Sequence, residues 1–205
     1  MPTKPSRKRN VTVLCAPQSN VYRSFSGVTC YKEDCRPLGS KLTGPIIVYP
    51  PSDCWGPDWT NTNIDESRKV ESMLTSFNCL NLVSRKGGVL VQPENSSLWQ
   101  SAHLPTIGDM SRSPKLWTIG VNLKDFGHRD ERQLWLLLSN IDPNSSPWLQ
   151  WPVPRRTSRE TNNPKQPPSS RTEGRFESFL ISLARLSTPS ENESVPAWIW
   201  IPTSN

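Results

Sequence analysis

Apolar residues in this chain come in short runs whose period changes along its length. Val11–Leu14, Val28–Tyr31 and Ile46–Tyr49 are rich in β-branched and aromatic residues. They are bounded by Pro17, Gly27, Gly44-Pro45 and Pro50-Pro51, a pattern that predicts short strands joined by turns. Between Asp65 and Leu82 the period becomes helical: Val70, Met73, Leu74, Phe77 and Leu80 share a face. Asp65 stands at an N-cap position and Gly87-Gly88 stops the helix soon after. Strand patterns resume at Val89–Val91, Leu116–Val121 and Leu134–Leu138. The last is apolar at nearly every position, which predicts a strand covered on both faces.

After Asp142 the pattern breaks. Pro143, Pro147, Pro152, Pro154, Pro164, Pro167 and Pro168 fall among Arg, Ser, Thr and Asn, which predicts a partly extended linker without a core. Phe176, Phe179, Leu180, Leu183 and Leu186 then form a second helical stripe closed by Pro189, and a short helix after a linker is expected to dock on a neighbour. The predicted class is mainly β: an antiparallel β-sandwich-like domain with one amphipathic helix, a proline-rich hinge and a short C-terminal helix. The corresponding segments are a disordered basic tail at 1–10, a β-rich domain at 11–141, the hinge at 142–174 and a helical remnant at 175–205. No run approaches the roughly 18 apolar residues of a spanning helix, and the basic N-terminus leads into only a short apolar patch. The expectation is a fragment without membrane anchor or signal peptide, extracellular if a signal peptide is supplied upstream and otherwise cytoplasmic.

Charge changes this picture little. The net charge is +6, but residues 1–10 carry +4 and residues 153–175 another +4, leaving the remaining 172 residues at -2. The body is not basic, so specific nucleic-acid binding is not expected of it. The two tails are either solvated or grip phosphate without sequence preference.

Candidate chemistry is sparse. Neither His103 nor His128 has a Cys, Asp or Glu at metal-ligand spacing, and no Gly-x-Ser-x-Gly, phosphate-binding glycine loop or His-Glu-x-x-His is present. No enzyme, metal or cofactor is expected. Cys15, Cys30, Cys35, Cys54 and Cys79 all lie in the first 79 residues. Cys30 and Cys35 are the one close pair, and no downstream partner pair completes a zinc site. A disulfide framework is the leading expectation, with buried thiols as the alternative. Asn10, Asn95, Asn144 and Asn192 open Asn-x-Ser/Thr glycan acceptors. Trp117 and Trp135 belong to strand patterns and are expected in the core, whereas Trp55 and Trp59 lie in a loop where indoles could contact a protein partner.

Taken in order, these segments resemble the surface subunit of a gammaretrovirus-type envelope glycoprotein, including endogenous relatives. Cys15-Ala16-Pro17 is followed by the Cys30 to Cys35 pair, and Cys79-Leu80-Asn81-Leu82-Val83 is similar to the family's Cys-Asn-Pro-Leu-Val run. Trp117-Thr118-Ile119-Gly120, the turn Gly127-His128-Arg129-Asp130, the strand Leu134–Leu138 and the proline tract come next in the family's order. Where the family carries Cys-Trp-Leu-Cys, this chain has Ala197-Trp198-Ile199-Trp200, so the isomerase-like thiol is absent. The resemblance implies a truncated receptor-binding glycoprotein with a cell-surface receptor as partner and no fusion activity. Such a chain acts as a soluble receptor-blocking fragment or is a non-functional remnant. The alternative is an intracellular viral accessory protein that binds RNA or host proteins through its basic tails.

Overall fold

The computed structural model describes residues 9–16, 19–31, 42, 44–51, 65–94, 96–107, 115–128, 131–141 and 174–188. They form strands β1 (Val11–Leu14), β2 (Val28–Tyr31), β3 (Ile46–Val48), β4 (Gly88–Pro93), β5 (Leu116–Asn122) and β6 (Gln133–Ser139). The helices are α1 (Ser19–Arg23), α2 (Glu66–Lys86), α3 (Leu98–Ser101) and α4 (Arg175–Leu186), with a short 3-10 turn at Leu123–Phe126. Every strand and both long helices lie within a few residues of the segments that hydrophobic periodicity marks out. The ends of α2 form as expected: the Asp65 carboxylate accepts from the Ser67 N–H, and Gly87, at φ 77°, donates its N–H to the Val83 carbonyl. The Gly127-His128 segment lies between β5 and β6, directly after the 3-10 turn.

The assembly of these strands differs from the antiparallel sandwich. They make a single mixed sheet in the order β2-β1-β3-β4-β6-β5. The first four strands are parallel, and β6 runs antiparallel to both β4 and β5. Of the described residues about 28% are strand and 41% helix, so the class is mixed α/β. The physical reason lies in the connections. A hairpin turn reverses the chain, but a helix between two strands lets the second run alongside the first in the same direction. Here α1 lies between β1 and β2, and α2 between β3 and β4. With only five residues, α1 is too short to impose a helical period on the sequence.

Helices cover both faces. On one, Tyr22 of α1, Phe126 of the 3-10 turn and Phe176, Leu180, Ile181 and Leu183 of α4 pack on Val11, Val13, Ile47, Val89 and Leu136. On the other, Cys79, Leu80 and Val83 of α2 and Leu98 and Trp99 of α3 pack on Leu14, Ile46, Val48, Leu90 and Leu137. The two sets alternate along each strand, as the two-residue repeat of a pleated strand requires. Leu136, Leu137 and Leu138 are fully buried, so β6 is indeed covered on both sides. The expected docking of α4 is also seen: it sits in the same core as β1, β3 and β4. Nearly all of the proposed basic tail and hinge lies outside the described residues.

Close packing in the middle of the sheet depends on one glycine. Gly88 has φ 130°, and a Cβ there would stand 1.9 Å from the Ile46 carbonyl oxygen. Only a residue without a side chain lets β3 and β4 pair at this point.

Candidate functional site

From β1 the chain builds outward to β2, whereas β3 and β4 build in the other direction. The order therefore reverses between β1 and β3, and the loops leaving these two strands diverge. In open α/β sheets the crevice at the carboxyl ends of two such strands is where ligands bind. It is bordered here by Cys15-Ala16 after β1 and by Tyr49-Pro50-Pro51 after β3.

Beside this crevice Tyr22, Tyr49 and Glu177 come together on the α4 side of the sheet, each from a different element, while Cys15 lies on the α2 side. Cys15 ends β1 in a left-handed conformation, φ 57°, that a non-glycine residue seldom adopts. The Tyr22 hydroxyl from α1 lies 2.5 Å from the Tyr49 hydroxyl, and either can donate. Their rings pack edge to face with centroids 6.2 Å apart. Burial raises the Tyr22 phenol well above its ordinary value, with Tyr49 pushing the same way. Burial also raises Tyr49, and Glu177 and Cys30 add to the shift. Glu177 of α4 is 3% exposed, and its Oε2 has no hydrogen-bond partner. A buried carboxylate oxygen left unpaired is costly, and such a group calls for an explanation beyond packing.

On the other side of the β3 loop, the buried side-chain amide of Gln92, near the end of β4, donates to the Pro50 carbonyl at 2.5 Å, while its Oε1 has no partner. The segment leaving β3 is thus pinned twice, by Tyr22 through Tyr49 and by Gln92 through Pro50. Hydrophobic periodicity did not reveal these residues. Glu177 alone left a mark in the sequence: it shares a helical face with Leu180, Ile181 and Ala184, so a carboxylate stands on the apolar stripe.

The expected site residues that are described lie apart from one another in the fold. Cys30 packs on the α4 side of the sheet, Cys15 and Cys79 on the α2 side, and no disulfide joins these three to one another. Asn10 is exposed just before β1. Trp135 packs against the α2-side core and Trp117 against the α4-side core, each half-buried. His103 is exposed at φ 49°, and His128 lies edge-on to Phe176. Cys35, Cys54, Trp55, Trp59, Asn95, Asn144, Asn192, Ala197, Trp198, Ile199 and Trp200 lie outside the described residues. Among the described residues no cluster of three or more His, Cys, Asp or Glu could hold a metal ion, and no helix is long and apolar enough to cross a membrane.

No family model, curated protein or solved structure matches this chain.

Proposed function

We propose that this chain is an adenosyl-ligand-binding domain of the methyltransferase type, holding its ligand in the crevice at the carboxyl ends of β1 and β3. The observation that carries this reading is the plan of the sheet: four parallel strands whose order reverses between β1 and β3, then the reversed strand β6 inserted before the last parallel strand, β5. Insertion of a single reversed strand at that place is the strand plan of adenosylmethionine-dependent methyltransferases. The reading is therefore a fold-level analogy, supported by the groups beside the crevice. Tyr22 and Tyr49 offer hydroxyls, and Glu177 and Gln92 each hold a buried oxygen without a partner.

The turn after β1 favours this ligand class over a dinucleotide. Pyrophosphate recognition uses glycines that let the backbone approach the phosphates closely. Here Cys15-Ala16 occupies the turn, and the chain has no phosphate-binding glycine loop. An adenosyl ligand such as S-adenosylmethionine carries no phosphate. The proposal departs from the expectation of a non-enzymatic chain, which rested on the lack of catalytic motifs.

The test is calorimetry and thermal unfolding of the full chain with S-adenosylmethionine, S-adenosylhomocysteine, ATP and NAD. The first two are expected to bind, and at a hundredfold excess over Kd to stabilise by about 2.7 kcal/mol. ATP and NAD are expected to do neither. Failure of both adenosyl ligands would sink the proposal. Receptor attachment, the reading drawn from the ordered envelope-like motifs, would then be examined with secreted protein glycosylated at the exposed Asn10 in cell-binding assays.

A further inference from the structure

The strand β5 closes one end of the sheet, and among the described residues no other strand lies beyond it. At the two ends of the β5–β6 ladder the Lys115 carbonyl accepts from the Asn140 N–H at 2.9 Å, and the Leu123 N–H donates to the Arg132 carbonyl at 3.1 Å. Odd-numbered residues of β5 therefore turn their N–H and C=O toward β6. Leu116, Thr118, Gly120 and Asn122 turn theirs outward, and among the described residues no hydrogen bond ends on those backbone groups.

An open edge is a template for another strand, and proteins blunt it with short length, charge, proline or a bulge. None of these devices is present in β5. It runs seven residues, Leu-Trp-Thr-Ile-Gly-Val-Asn, without a charge or a proline, and its register with β6 is unbroken from end to end. The opposite edge strand, β2, has only four residues. Apolar side chains flank the β5 edge on both faces. Trp117 and Ile119, each half-buried, lie on the α4 side, and Ile107, 51% exposed, lies against the bare Gly120 on the other.

We infer that β5 pairs with β5 of a second copy of this chain, antiparallel about a two-fold axis through Ile119. The strand's own pattern selects this occupant. Centred there, Leu116 faces Asn122 of the other copy and Thr118 faces its Gly120, so every outward N–H meets an outward C=O. A two-fold centred on Thr118 or on Gly120 leaves outward groups unpaired at one end of each strand. The side chains agree with the first register. Ile119 meets its own counterpart at a non-hydrogen-bonded position, where side chains approach most closely, and Trp117 meets Val121, so no like charges are opposed. A peptide of other sequence can use the same backbone groups; a second copy also matches Trp117, Ile119 and Val121 with apolar residues and makes each contact twice. The edge lies beyond β4 and β6 from the adenosyl crevice, and the inference does not depend on that reading.

The experiment is sedimentation equilibrium of the full chain and of Ile119→Lys and Ile119→Glu, each alone and mixed in equal amounts. The natural chain is expected to dimerise with a Kd in the micromolar range. Each variant alone sets like charges face to face across the axis and is expected to raise Kd at least about tenfold, whereas the mixture is expected to recover the dimer. Ile119→Cys serves if neither charged variant folds. Facing Cα atoms about 4.5 Å apart suit a disulfide, so mild oxidation is expected to give a dimer whose mapped peptide joins position 119 to itself. A natural chain that stays monomeric at high micromolar concentration would overturn the inference, as it would if the edge took only a foreign peptide or another segment of its own chain. Folded charged variants that dimerise no better mixed than alone, or an oxidised Ile119→Cys chain lacking that peptide, would do the same.

Discussion

Alkaline pH is expected to unfold this protein through Tyr22 and Tyr49. Both phenols are raised in the folded state, chiefly by burial, above the value of about 10 that they take in an unfolded chain. Above pH 10 the unfolded chain sheds these two protons while the folded one keeps them. The stabilisation is thus fully present below pH 10 and is lost as pH rises toward the raised folded values. Each retained proton tilts stability by about 1.4 kcal/mol per pH unit, so the pair together gives a slope near 2.7 kcal/mol per unit. The assay is urea unfolding at pH 8, 10 and 11, comparing the natural chain with Tyr22→Phe/Tyr49→Phe. Loss of the hydroxyl pair shifts the variant by a constant, which the pH 8 measurement removes. Between pH 10 and 11 the natural chain should lose about 2 kcal/mol more than the variant. Near-ultraviolet tyrosinate absorbance, in a background lacking the exposed Tyr31, should rise only as the protein unfolds. Identical pH slopes in the two proteins would refute the reasoning, because the phenols would then be ionising freely in the folded state.

Leu180→Ala, at a fully buried position of α4, should cost 2–5 kcal/mol and lower Tm by about 2–4 °C for each of these, measured by circular dichroism. Leu74→Ala, on the exposed face of α2, should stay within about 0.5 kcal/mol in the same assay. Gly88→Ala should abolish cooperative unfolding, because the added methyl group collides with the Ile46 carbonyl between two central strands; a normal urea transition would count against the β3–β4 pairing. Mild oxidation followed by peptide mapping should yield no Cys30–Cys79 bridge, since the sheet separates these cysteines, and recovery of that peptide would contradict the layer arrangement.

The elements themselves were legible in the sequence, because strand and helix periods survive in short runs such as Ile46–Val48 and Phe176–Leu186. Their assembly was not. Strand direction is decided by what connects the strands, and the five-residue α1 is too short to leave a periodic trace. A helix at Asp65–Leu82 between two strand patterns was the visible cue for a parallel pair, and it carries β3 into β4. The crevice groups were hidden for a different reason. Tyr22, Tyr49 and Gln92 are 27 and 43 residues apart along the chain, and only the reversal of strand order gathers them around one loop. Glu177 stands as a charge on the apolar stripe of α4, yet its place near the phenols depends on where α4 lands. The cysteines suggested a bridged framework; the sheet divides Cys30 from Cys15 and Cys79, while Cys35 and Cys54 lie outside the described residues.

The late arrival of α4 has a consequence for how the protein is made. Phe176, Leu180, Ile181 and Leu183 cover Val11, Val13, Ile47 and Val89, residues that leave the ribosome far earlier. At about 5–20 residues per second, the apolar sheet face waits many seconds for its lid to be translated. Arg9, whose guanidinium reaches the Ser187 carbonyl at 2.6 Å, waits longest of all. That apolar face is therefore exposed through most of synthesis, and slow synthesis should lower the soluble yield.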